Sequence, residues 1–97
     1  MESKHSDSAS SLAKLVKAYA RLIDQFNHEH AIDVLNDLDS GEPSLALGTG
    51  VFYAWEDGAD VPSDMLAETG KWLGPEDGYA LKAYQDFMSG KKVHAAA

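Results

Sequence analysis

Apolar residues recur at Leu12, Leu15, Val16, Tyr19, Leu22, Ile23 and Phe26, in steps of three and four. That spacing places them on one face of a helix, which predicts a first helix over 8–26 with Ser6, Asp7 and Ser8 upstream as cap oxygens. The stripe then changes phase: Ala31, Val34, Leu35 and Leu38 define a second helix over 28–39. Asn27 stands where a cap is needed and Gly41 where a helix stops; a single bent helix through both stripes is the alternative. Pro43 and Ser44 open the next element, over 44–57. Its length suits a helix, while Val51-Phe52-Tyr53-Ala54-Trp55 between Gly50 and Asp57-Gly58 has the composition of a strand, so a short β segment around 51–55 competes with the helical reading. Pro62 opens a helix over 62–73 that Gly74 ends, and Pro75 starts a last one over 75–89 with Ala80, Leu81, Tyr84, Phe87 and Met88 as its apolar face.

These elements predict an all-α fold, a bundle of about four to five short helices. The chain of 97 residues forms a single helical domain over 1–97, with a flexible N-terminus at about 1–7 and a tail at about 91–97. With no cysteine there are no disulfides, thiolate metal sites or cysteine nucleophiles. The N-terminal segment mixes both charge signs, and the apolar stretch after it carries Lys14, Lys17 and Arg21, which excludes a secretory signal. No apolar run approaches the ~20 residues of a membrane span, so the expected compartment is the cytoplasm.

Charge changes the picture more than composition does. The formal net charge is −8, and its distribution is uneven: residues 22–70 hold eleven carboxylates and no Lys or Arg. Glu29, Asp33 and Asp37 follow one another at four-residue intervals, so on a helix they stand about 6 Å apart along one face. Backbone phosphates are separated by a similar distance, which makes such a ladder a nucleic-acid mimic for a basic groove. Helix dipoles account for several of these acids singly: Glu29 and Asp33, Asp60 and Asp64, and Glu76 and Asp77 all fall in first turns. They do not account for the missing basic residues, because a merely solvated surface mixes signs.

Several motifs fail on inspection. His28-Glu29-His30 has Ile32 where a zinc-protease motif requires its second histidine. Asp24 and His28 supply two ligands at helical spacing but no local third. Gly48-Thr49-Gly50 has Tyr53 at the third position of a dinucleotide fingerprint, and no lysine for a phosphate loop. These glycines instead mark a loop or the close approach of another helix. Asn36 to Leu47 fails as a calcium loop, with Leu38 and Leu47 at ligand positions.

Three functional readings follow. The first is a non-enzymatic module that binds a basic protein surface through Asp24, Glu29, Asp33, Asp37 and Asp39, with Tyr53 and Trp55 as aromatic anchors beside Glu56 and Asp57. In its sharper form it is an inhibitor that blocks a nucleic-acid-binding groove, as small acidic phage and mobile-element proteins do. It requires no cofactor, and the same charge disfavours nucleic acid and membrane surfaces as ligands. The second is a self-associating structural or regulatory helical protein with an exposed apolar face. The third is a small enzyme or metal-binding protein using Asp24, His28 and His30.

Overall fold

The computed structural model describes residues 4–90, and the N-terminal Met1-Glu2-Ser3 and the tail expected at 91–97 lie outside the described residues. Five α-helices follow one another: α1 (Lys4–Asp24), α2 (His28–Asp39), α3 (Pro43–Glu56), α4 (Ser63–Thr69) and α5 (Gly78–Met88), with a 3-10 turn at Pro75–Asp77 before the last. Among the described residues there is no strand, and the bundle is all-α as the periodicity predicts.

α1 begins at Lys4, so Ser6, Asp7 and Ser8 lie inside the helix rather than ahead of it. It ends two residues before the predicted limit, and a turn through Gln25 and Phe26 leads into α2. Phe26 is therefore 55% exposed instead of joining the apolar face. The break has a local cause: the Asn27 side chain accepts the backbone N–H of His30 at 3.2 Å, capping a new helix. α1 and α2 are thus two helices and not one bent helix. α2 closes at the predicted residue. Gly41 takes φ +81°, its N–H bonds the carbonyl of Leu38, and that of Glu42 reaches Asp37, the paired bonds of a Schellman stop.

α3 lies at the centre, packed against α1, α2 and α5. Ala46, Leu47, Gly50, Val51 and Ala54 are all buried. A helix covered from several sides carries no clean polar stripe, which is why its sequence also resembles a strand; the β segment considered at 51–55 is helical. Gly50 sits where three helices meet: a Cβ there would lie 3.1 Å from Tyr19 Cβ on α1 and 3.7 Å from a Val34 methyl on α2.

α4 is shorter than the predicted 62–73. It stops at Thr69, and the amides of Lys71 and Trp72 turn back to the carbonyls of Glu68 and Thr69. The Tyr84 hydroxyl of α5 lies against Gly70, in the space a side chain at that position would enter, so a larger residue there displaces the Tyr84 ring tip. The predicted 75–89 helix is divided by Gly78, at φ +47°. Asp77 is held before the break by the Gly74 N–H at 2.6 Å. On α5, Ala80 and Ala83 are buried, whereas Met88, expected on the apolar face, is 58% exposed at the helix end. The core joins Leu12, Leu15, Val16, Tyr19 and Ile23 of α1 to Val34, Leu47 and Val51. One polar link crosses it, the Tyr19 hydroxyl to Thr69 Oγ1 at 2.7 Å, which ties α1 to α4.

Candidate functional site: the acidic face of α2 and α3

Pairing α2 with α3 gathers five of the nine sequence-selected residues. His30, Asp33 and Asp37 follow the i, i+3, i+7 pattern on α2 and face Thr49 and Tyr53 of α3. The His30 ring stacks on Tyr53 with centroids 3.7 Å apart and planes 3° from parallel. Its Nδ1–H donates to Asp57 Oδ2 at 2.9 Å, and this pair is largely buried. The Thr49 hydroxyl donates to Asp37 at 3.1 Å. Burial, and after it the negative charge of Asp33, Glu56 and Asp37, pushes the Tyr53 hydroxyl above its ordinary pKa. Asp33, Asp37, Tyr53, Glu56 and Asp57 therefore form one acidic patch around an aromatic stack.

The remaining selected residues lie at its margins. Glu29 and Asp39 are exposed on α2. Asp24 ends α1 and pairs with His28 across the turn, so the two share no helix face. Trp55 is half-buried against the core and turns toward α5 beside Phe52 and Ala83. The lysine pairs Lys71–Glu68 and Lys82–Asp86 join residues within one helical turn, at 3.2 and 3.7 Å. The Glu29-Asp33-Asp37 ladder is also unequal: Glu29 and Asp33 are exposed, while Asp37 is half-buried under its Thr49 bond.

Thr49 belongs to the patch without any signal in the sequence, and His30, which the sequence offers only for a metal or enzyme reading, belongs to it as well. A signal existed for His30, which sits three residues from Asp33, but its stacking partner is far away in sequence. Among the described residues, no group of three or more His, Cys, Asp or Glu side chains is placed to hold a metal ion. His30 makes the His–carboxylate pair that acid–base chemistry uses, yet the nearby Thr49 hydroxyl is directed to Asp37. The pair holds α2 to the end of α3. His30→Ala is expected to cost about 1–2 kcal/mol, because it leaves a largely buried carboxylate without its donor. A urea unfolding midpoint measured beside the parent chain checks this.

A second feature adjoins the patch. Phe52, one residue from Tyr53, reaches Tyr79 of α5 with centroids 6.0 Å apart and Trp55 at 6.4 Å. Furrows of about 390 and 460 Å³ flank this aromatic bridge between α3 and α5. Tyr79 is 81% exposed, whereas Tyr53 and Trp55, the rings selected from the sequence, are partly covered.

Among the described residues, no helix is long and apolar enough to cross a membrane. No protein-family model matches the chain, and no curated protein or solved structure is significantly similar to it.

Proposed function

We propose that this chain is a non-enzymatic protein-interaction module whose α2–α3 face engages a basic protein surface in the cytoplasm. In its sharper form it is an antagonist that occupies a nucleic-acid-binding groove. The supporting observation is the cluster of Asp33, Asp37, Glu56 and Asp57 around the His30–Tyr53 stack, in a segment, residues 22–70, that contains no Lys or Arg. Such a surface attracts a cationic partner over a range of roughly 8–10 Å at physiological salt and accelerates encounter. It repels phosphates, so the partner is protein rather than nucleic acid.

The test uses Glu29→Lys with Asp33→Lys. Both residues are exposed, and the double variant reverses the local field and removes the Asp33 bond to the Tyr53 hydroxyl while leaving the Thr49–Asp37 bond in place. Partners from a host lysate are captured on the immobilised chain and eluted in rising salt. The expected result is a basic nucleic-acid-handling protein that elutes steeply with salt and is not retained by the folded double variant. Equal retention by both chains rejects the reading. The second reading, self-association, is favoured by Phe26, Leu45, Tyr79 and Met88, each more than half exposed. Light scattering distinguishes it through a mass well above 10.5 kDa.

A further inference from the structure

We infer that the α3–α5 furrow docks a short peptide segment of the basic partner, one that carries a large aliphatic side chain next to Arg or Lys. This inference rests on the proposed function and specifies the contact.

The residues are placed for it. Leu45, 53% exposed, and Phe52 form an apolar wall on α3, and Tyr79, 81% exposed, rises opposite from the start of α5. An aromatic ring this exposed contributes little to the core. It is the kind of side chain that dominates binding energy when a partner covers it. The furrow floor is formed at Gly48 and Ala80, where a glycine Cβ would be 3.4 Å from that of Ala80, so the helices approach closely and leave the larger side chains standing on the rims. An aliphatic side chain fills such a space by shape and removes apolar surface from water.

Charge selects what accompanies it. Glu76 and Asp77 line the furrow at its α5 end, and Tyr53 joins it to the acidic patch of Asp33, Asp37 and Glu56. Lys82, on the far side of Tyr79, is paired with Asp86. A peptide lying along the furrow therefore meets carboxylates at both sides of its apolar anchor. Arg or Lys there pairs with them, and a guanidinium also stacks on the open face of Tyr79. An anionic or purely apolar segment obtains no such match.

A library of random short peptides displayed on a carrier is panned against the intact chain. Enriched peptides are then measured against the parent chain, Tyr79→Ala, and the Glu29→Lys, Asp33→Lys double variant. Circular dichroism establishes that each variant keeps its helices, which the exposure of all three side chains permits. The expected result is enrichment of Leu, Ile or Met flanked by Arg or Lys, with affinity reduced about tenfold or more by Tyr79→Ala. Basic peptides without an aliphatic anchor, weakened by the double variant and indifferent to Tyr79→Ala, overturn the furrow while leaving the acidic-face reading intact. Apolar peptides without basic residues overturn the charge requirement, and no enrichment overturns the inference altogether. A dimer in solution that Tyr79→Ala converts to a monomer also overturns it, because the occupant is then a second copy.

Discussion

Gly50→Val is expected to lower the stability of the fold by about 3 kcal/mol or more. The missing side chain at this position is what lets α3 meet α1 and α2 at one point. A Cβ placed there is 3.1 Å from Tyr19 Cβ, an atom next to the backbone of a residue with no solvent exposure. Tyr19 cannot swing aside, since its hydroxyl is held by Thr69 and its ring is enclosed. Valine adds two further methyl groups toward Tyr19 and the Val34 methyl, so the helices must separate. Gly48→Ala serves as the control on the same helix. Its Cβ would meet Ala80 Cβ at 3.4 Å, an ordinary contact, and alanine improves helix propensity by up to about 1 kcal/mol. Urea unfolding should therefore shift the two midpoints in opposite directions. A Gly50→Val chain as stable as the parent would contradict the packing of α3 on α1.

A loss of about 2–3 kcal/mol is expected between pH 10 and 12, governed chiefly by Tyr19. Burial pushes its hydroxyl from the ordinary 10.0 up to about 12; the bond to Thr69 acts in the opposite direction without cancelling it. Because the folded value is the higher one, this stability is fully present below pH 10. Above that, the unfolded chain releases the proton while the folded chain retains it, and the contribution declines until the folded value is passed. Tyr53, also raised, acts in the same direction, weakened by its exposure to solvent. Tyr19→Phe should remove most of the alkaline slope. It should cost only about 1 kcal/mol at neutral pH, because the Thr69 hydroxyl keeps its own bond to the Met65 carbonyl at 2.6 Å. Unfolding free energies for both chains across this range provide the measurement, and parallel curves would show that Tyr19 titrates normally.

The elements that local chemistry punctuates were the most legible. α2 runs over the predicted residues because Asn27 caps one end and Gly41, with positive φ, ends the other. Where a signal was distributed over several residues, the boundaries moved. The sequence places the end of the fourth helix at Gly74, whereas the helix stops at Thr69, next to the Gly70 that the Tyr84 hydroxyl of a different helix packs against. Met88 and Phe26 fit the apolar period and still face solvent, because each lies at or beyond a helix end, where the packing partner has run out.

The candidate site divides in the same way. The four-residue spacing of Glu29, Asp33 and Asp37 and the absence of basic residues over 22–70 depend only on order along the chain. The gathering of His30, Tyr53 and Asp57, and the reduced exposure of Asp37, depend on contacts between α2 and α3. The exposure of Tyr79 depends on where α5 crosses α3.

The amino-acid order alone sets the helical class, the two helix stripes at the start of the chain and the sign of the charge on its middle half. Each of these follows from a 3.6-residue period, a cap or a charge count, all properties of neighbours within a few positions. The tertiary structure decided which acids surround an aromatic stack, which glycine lets three helices meet and which aromatic ring stands open to solvent. Those outcomes depend on side chains tens of residues apart meeting in a packed core, where shape complementarity fixes what local periodicity leaves free.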